Sequence, residues 1–466
     1  MIDTENILLT GVTGFLGNNL IIPLLERKKG QNATDAIKDA SLSLKRNTLN
    51  SNSSSSSSSS KSPSEYKYNV YALVRSKSSN SKFLNDLQKK YNDRFNLIIG
   101  DFVNLDNSSN SDNSSDSQVP IIKNLSKILN DYKIDVVIHI AAMMEFFPKD
   151  NNILYKTNVI GTENLLKSCV KVNNNDDDDH DHDDDHHFSI GSSNSSNKKK
   201  NNKIKRFIYV STTETMGGKK PVTNINRSEL DDPYSHPNYY YGETKRVAED
   251  NVRRYQSKYG LDCIILRPTG FYGKNDDFSL FEFIQAVSYG LLFFLPSFAT
   301  GHVMYAHVDD IVQSVLLSIT KEKLATDDTE LAHTYIISPD QGLSYKETII
   351  FLNEKLNRMK PRFQLPASIV YPVISCVGSV MYLFKKKKFL YTSETLDRMQ
   401  EDRLFTNERA KRELGYRPQY TLRQGLNVTV EEYLENERIK SYPVSPLFLL
   451  TTILILVIRF VFSWFS

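Results

Sequence analysis

Early in the chain the hydrophobic pattern changes period. Ile7, Leu8 and Leu9 are an unbroken apolar run that ends abruptly at Gly11, and from Phe15 to Leu25 apolar residues recur at helical spacing. The order this predicts is strand, tight turn, helix. A second strand-like run covers Val70-Tyr71-Ala72-Leu73-Val74, and a third, Tyr209-Val210, closes on the hydroxyls Ser211-Thr212-Thr213. Tyr239 to Tyr255 has helical spacing with Glu, Lys and Arg on its polar positions. Two longer apolar stretches come late, Ile369 to Phe384 and Pro446 to Phe465.

Between these elements lie stretches too polar to bury. Residues 29–66 include the serine run Ser53 to Ser60, residues 104–118 are mostly Asn, Ser and Asp, and residues 173–203 pass from acidic and His-rich to Lys-rich. Each is expected to project as a loop between core elements. The histidines among aspartates from Asp176 to His187 do not predict a metal site, because such a run lacks an ordered, apolar frame to fix its ligands. At 39% hydrophobic, the 466 residues still suffice for a sizeable core. A doubly wound domain with a smaller lobe would use about 300 of them.

The first turn carries Thr10-Gly11-Val12-Thr13-Gly14-Phe15-Leu16-Gly17. Gly11 allows the tight turn, Gly14 lets backbone approach a pyrophosphate, and Gly17 permits close packing of helix on strand. The helix N-terminus adds N–H groups and the positive end of its dipole. Tyr241 and Lys245 are four apart in the helical segment, so both fall on one face. An ammonium beside a phenol favours the phenolate and brings it toward acid/base use at neutral pH.

In order along the chain these motifs are joined by Val70 to Arg75, Gly100-Asp101, His139-Ile140-Ala141-Ala142, Asn158-Val159-Ile160-Gly161-Thr162, Leu266-Arg267-Pro268 and His307-Val308-Asp309-Asp310. The series resembles the extended short-chain dehydrogenase/reductase superfamily, of the NAD-dependent epimerase/dehydratase type. The resemblance implies an α/β Rossmann fold, a doubly wound parallel sheet with a smaller C-terminal substrate lobe. It assigns the cofactor to Gly11, Thr13, Gly14, Phe15, Leu16, Gly17, Asp101, Ala141, Ala142, Asn158, Tyr241, Lys245 and Pro268. Thr212, Tyr241 and Lys245 become the catalytic set, with Thr212 found by counting back from Gly217 and Ser211 and Thr213 close by. The expected division is residues 1–273 for the dinucleotide domain and 274–440 for the lobe.

At the end of the second strand a carboxylate would bind the ribose 2′-hydroxyl of NAD, and a basic residue would accommodate a 2′-phosphate. Val74 holds the carboxylate's place and Arg75 follows, which favours NADP(H) and leaves NAD(H) open.

Cys169, Cys263 and Cys376 are scattered without zinc or disulfide spacing, which suits a reducing compartment. With 58 basic against 55 acidic residues, nothing points to nucleic acid.

Pro446 to Phe465 is long enough as a helix to cross a hydrocarbon core of about 30 Å. Arg459 would cost roughly 2.5–3.5 kcal/mol at the bilayer centre, but it lies toward the C-terminal side and can snorkel. A single-pass C-terminal anchor with the enzyme in the cytosol, at the endoplasmic reticulum, is the expectation. Ile369 to Phe384, ending in Lys385 to Lys388, is too short for a full span. It reads as an element at the membrane surface or over the substrate pocket.

The apolar stretch at 369–384 and the motif Phe405 to Tyr416 resemble 3β-hydroxysteroid dehydrogenase-like members, which implies hydride exchange with a membrane-dissolved sterol or other lipid alcohol. An acyl-thioester (fatty acyl) reductase and a sugar-nucleotide epimerase or dehydratase share the core motifs. A catalytically idle NADP(H)-binding redox sensor or scaffold is opposed by intact Thr212, Tyr241 and Lys245. The resemblance also implies a homodimer through residues 149–171 and 237–259.

Overall fold

The computed structural model describes residues 4–50, 65–75, 81–103, 124–145, 150–174, 203–218, 222–231, 240–322, 333–375 and 396–440. Seven parallel strands form one sheet: β1 (Glu5–Thr10), β2 (Tyr68–Val74), β3 (Phe95–Ile99), β4 (Val136–His139), β5 (Arg206–Val210), β6 (Cys263–Pro268) and β7 (Thr334–Ile337). Their order is β7-β6-β5-β4-β1-β2-β3. Ile7, Leu8 and Leu9 are fully buried, so both faces of β1 are covered. That is why its sequence is an unbroken apolar run and not an alternation. The strand order reverses between β1 and β4, where Ile7 pairs with Val136 and Thr10 with His139. In a doubly wound sheet the crevice at the carboxyl ends of the strands at this reversal is where a dinucleotide binds.

Two compact units divide the described chain. The first runs to Ser211 and takes up Tyr240 to Leu266 and Val315 to Thr334. The second holds Thr212 to Asp231, Arg267 to Ser314 and the residues from Tyr335 onward. The division therefore differs from a single boundary at residue 273. After β6 the chain departs and returns to the sheet with β7, while the second unit already begins where β5 ends.

In the first unit, helices α1 (Phe15–Glu26), α2 (Ala33–Asn50), α3 (Ser81–Lys90), α4 (Leu125–Asp131), α5 (Asn151–Tyr155), α6 (Gly161–Asn174) and α7 (Tyr240–Tyr259) alternate with the strands. Leu8, Val137, Phe207 and Ile265 from the strands meet Leu129, Leu165, Ala248 and Val252 from α4, α6 and α7 in one core. Helix α2 corrects the expectation that residues 29–66 form only a projecting loop. Ala33, Ala36, Ile37 and Ala40 are buried at helical spacing, and the helix packs on α1. Three of those four core positions are alanine, so the face does not stand out from its polar surroundings.

In the second unit, α8 (Ser279–Ser288), α9 (Val308–Thr320, in its first half), α10 (Tyr345–Lys355), α11 (Glu408–Leu414) and α12 (Leu422–Glu435) accompany short two-residue strand pairings. Ile284, Val287, Ile349, Leu352, Leu426 and Val430 form its core. Two motifs read from the sequence meet here. Asp310 Oδ1 accepts the Gln419 amide at 2.6 Å, and Gln313 Oε1 accepts the Arg417 amide at 2.9 Å. Gly415, at φ +73°, ends α11 so that Tyr416 turns inward and donates to Ser338 O at 3.0 Å. The motif ending at Asp310 is thus tied to the residues that follow the motif Phe405 to Tyr416.

Among the described residues no helix is long and apolar enough to cross a membrane. Residues 446–465 lie outside them, as do 104–118, 176–187, Cys376 and Lys385–Lys388.

Candidate active site

At the sheet reversal, the turn after β1 meets the segment after β4. Gly11 has φ +78°, and a Cβ there would stand 2.7 Å from Ala141 N. A Cβ on Gly17 would overlap Gly11 O and come within 2.6 Å of Val12 Cα. Gly14 differs: its added Cβ would meet only Gly11 O, at 3.4 Å, and the residue is exposed. Gly14 is also the N-cap of α1, with no side chain capping it. Two glycines are therefore fixed by packing and the third leaves an open approach to a helix N-terminus, the arrangement a pyrophosphate requires. Asn18 Nδ2 donates to Thr13 O at 3.0 Å and Gly14 O at 3.1 Å and closes the turn. Phe15 and Leu16 open α1, with Leu16 buried. Arg75 follows β2, exposed, and Asp101 follows β3, half-buried, its Oδ1 accepting the Val103 amide at 2.9 Å. Both stand at the carboxyl edge of the sheet, with the turn.

A buried polar chain links this turn to α7. Ala141 N donates to Thr10 Oγ1 at 3.2 Å, and Thr10 Oγ1 lies 2.8 Å from His139 Nδ1. His139 Nε2 lies 2.9 Å from Thr162 Oγ1, whose hydroxyl donates to Asn158 O at 2.6 Å. Because Thr162 spends its proton on Asn158, the His139 proton belongs on Nε2 and Nδ1 accepts from Thr10. Asn158 sits in a π-helical turn, Lys156–Ile160, and clamps Met143 from both sides, accepting its amide at 2.8 Å and donating to its carbonyl at 3.0 Å. Its Nδ2 also donates to Thr244 Oγ1 at 3.0 Å, and Thr244 donates to Tyr241 O at 2.8 Å. Asn158, assigned to the cofactor on resemblance, thus shapes the backbone after Ala141 and Ala142 and anchors the helix of Tyr241.

Burial, with a contribution from Lys245, pushes the His139 imidazole down to about 3. An unfolded histidine binds a proton below about 6.5, while the folded chain resists until about 3. The stabilisation is present above about 6.5 and is lost as pH falls toward 3. Thermal unfolding is expected to drop over that window, by on the order of 4–5 kcal/mol at full protonation. His139→Asn is expected to be less stable at pH 7 and to show a flatter profile. A slope unchanged by that substitution would contradict the assignment.

Tyr241 and Lys245 lie on α7 as expected from their spacing, both buried. Lys245 Nζ donates to Val210 O at 2.8 Å and sits 4.2 Å from the Tyr209 ring centroid. Burial lowers its pKa to about 7 against the opposing pull of Glu249 one turn on. At the end of β5, Ser211 Oγ is buried without a hydrogen-bond partner. A native structure seldom leaves a buried hydroxyl so, and Ser211 joins Thr212 as a candidate hydroxyl.

Thr212 opens the second unit, where its Oγ1 accepts the Glu214 amide at 3.1 Å and caps the short turn Thr213–Thr215. Burial alone would raise the Glu214 carboxyl. Arg398 at 2.6 Å and Arg403 at 2.9 Å overturn that and hold it at about 2. Glu214→Gln is expected to destabilise the protein toward the lower end of roughly 3–5 kcal/mol, because it removes a buried charge that pairs with both Arg398 and Arg403, while Arg403 keeps Glu401 at 3.2 Å; denaturant unfolding measures it. Pro268 closes β6 in this unit. Among the described residues no cluster of His, Cys, Asp and Glu could hold a metal ion.

Sheet order and glycine turn define a doubly wound chain with a dinucleotide cradle at its reversal, and family and relatives make it a nicotinamide-dependent enzyme acting on CH–OH groups. The chain belongs to the NAD dependent epimerase/dehydratase family, whose pattern matches residues 7–331. It is 26% identical over 314 residues to Short-chain dehydrogenase/reductase family 42E member 1 of Homo sapiens, covering 64% of this chain and 71% of that one. The 3 beta-hydroxysteroid dehydrogenase/Delta 5-->4-isomerase of Mycobacterium tuberculosis is 23% identical over 318 residues, 65% of this chain and 76% of its own. The solved UDP-glucuronic acid 4-epimerase of Bacillus cereus in complex with NAD superposes with TM-score 0.55 at 18% identity, covering 93% of this chain and 99% of that one. The latter likeness is one of fold.

Proposed function

We propose that this enzyme transfers hydride between a nicotinamide dinucleotide and a secondary alcohol or ketone of a membrane-dissolved sterol or similar lipid. The observation that carries the chemistry is the polar chain from Thr10 through His139, Thr162, Asn158 and Thr244, which ties the glycine turn to the helix holding Tyr241. When bound, the nicotinamide gives or accepts the hydride. Gly11, Gly14 and Gly17 form the cradle for its pyrophosphate. In the oxidising direction Tyr241 as phenolate takes the hydroxyl proton while the carbinol hydrogen leaves as hydride and the carbonyl forms. In reduction it returns the proton. Lys245 tunes Tyr241, and Thr212 orients the substrate oxygen. Ser211→Ala and Thr212→Ala, compared in turnover, tell which hydroxyl is needed.

The lipid substrate is supported by relatives named for 3β-hydroxysteroids and by the apolar stretch at 446–465. That stretch would anchor the enzyme at the endoplasmic reticulum, with its catalytic part in the cytosol. A homodimer through α5–α6 and α7 belongs to the same reading.

NADP(H) is favoured by Arg75, exposed after β2 with Val74 where a carboxylate would stand. Arg75→Asp is expected to shift the NADPH-to-NADH ratio of kcat/KM toward NADH by about 10- to 100-fold, the worth of one charged hydrogen bond. An unchanged ratio would remove Arg75 from the cofactor site. Turnover on sterol alcohols and ketones, acyl thioesters and sugar nucleotides tests the substrate. Reduction of acyl thioesters alone would replace the sterol reading.

A further inference from the structure

The second unit carries an apolar surface that its own core does not use. Residues 288–298 and 358–371 run side by side: Arg358 donates to Ser288 O, Leu295 N to Phe363 O at 3.0 Å and Ser297 N to Leu365 O at 2.9 Å. Phe293 meets Phe363 with ring centroids 5.9 Å apart, and Phe298 meets Tyr371 at 5.1 Å. Tyr289, Leu291, Met359, Phe363, Ile369 and Val373 along these segments are 38–56% exposed. The helical residues 367–375 explain part of this. Val370 is buried and Tyr371 and Ile374 pack inward, yet the outward side holds Ile369, Pro372 and Val373 at i, i+3 and i+4, flanked by exposed Ser368 and Ser375. A surface helix ordinarily turns mostly polar residues outward, and an exposed apolar patch rimmed by polar residues marks an interaction site.

We infer that this face is a docking surface for the interfacial zone of a lipid bilayer. Exposed Lys360 and Arg362, with half-buried Arg358, rim the apolar residues, and the acidic Glu354 pairs with Lys360 at 2.8 Å. A basic rim suits anionic headgroups, whereas two copies packed patch to patch would bring like charges together. The sequence beyond Ser375 supports the same occupant: it stays mostly apolar to Phe384 and then gives Lys385 to Lys388. Apolar side chains entering the acyl boundary beneath a basic rim are the composition of an interfacial element. The inference rests on the reading that the enzyme works at a membrane, and it gives that enzyme a second contact, separate from the stretch at 446–465.

The test uses the full chain. Trp464 is its one tryptophan, so Trp464→Phe supplies a dark background into which Phe363→Trp, Val373→Trp or the control Tyr132→Trp is placed. Tyr132 is equally exposed but lies in the first unit. Each variant is mixed with phosphatidylcholine–phosphatidylserine vesicles whose phosphatidylcholine carries brominated chains, with thermal unfolding checked alongside. Emission from positions 363 and 373 is expected to be quenched, and that from position 132 to be unchanged. Vesicle-bound protein with unquenched emission at both positions would overturn the inference, as would absence of binding. A concentration-dependent blue shift without vesicles would assign the face to a second copy and overturn it too. Sterol turnover on the same samples separates the two readings. Turnover without quenching removes only this surface, and quenching without turnover removes only the substrate.

Discussion

Tyr241→Phe is expected to lower hydride transfer by about 10²–10⁴-fold, the usual worth of a positioned general acid/base, while leaving dinucleotide affinity nearly intact. The ring stays buried on α7, and the backbone carbonyl that receives Thr244 is unaffected. Only the phenolic proton carrier is lost, so kcat and kcat/KM should fall together. Steady-state turnover beside a cofactor-fluorescence titration measures both quantities. Full turnover in the variant would remove Tyr241 from the proton transfer, and absence of turnover in the parent itself would return the protein to the class of cofactor-binding sensors or scaffolds. Loss of cofactor binding as well would mean that the phenol is structural.

Gly17→Ala and Gly14→Ala should fail in different ways, and the contrast tests the cradle. At Gly17 the new methyl overlaps Gly11 O and presses on Val12 Cα, both backbone, so α1 must move off the turn. The expected cost is at the upper end of roughly 1–3 kcal/mol of stability, with dinucleotide binding lost as well. At Gly14 the methyl meets Gly11 O at only 3.4 Å, so the fold should tolerate it. It would nevertheless occupy the open approach to the N-terminus of α1. The melting temperature of Gly14→Ala should stay near that of the parent while cofactor affinity falls. Equal effects of the two substitutions on stability and on binding would contradict the division of labour drawn from the turn.

What the sequence reveals follows from how local each feature is. The turn from Gly11 to Gly17 and the pair Tyr241 and Lys245 are set by spacing within one turn or one helix, and both stand where spacing puts them. The run Ile7 to Leu9 shows its strand because both faces of β1 are covered. The chain through His139 was not legible, although His139, Asn158 and Thr162 all stand in noticed motifs. Thr10 and His139 are 129 positions apart and touch only because β1 and β4 pair in one register. Glu214 drew no role from the sequence since Arg398 lies 184 positions away. Helix α2 escaped notice because alanines carry its buried face, and the return of the chain to the sheet at β7 moved the division between the units. Ser211 differs from Thr212 only by burial and an unpaired hydroxyl, which no spacing rule reports.

Hydride transfer from a lipid alcohol leaves an isotopic signature in the cofactor. The full-length enzyme is incubated with oxidised dinucleotide and a 3β-hydroxysterol carrying deuterium at its carbinol carbon, and the reduced dinucleotide is examined by mass spectrometry. Deuterium in the reduced cofactor, formed in step with ketone and absent with Tyr241→Phe, is the expected result. No label from any sterol, together with inversion of a sugar nucleotide without net cofactor reduction or with reduction of an acyl thioester, would contradict it.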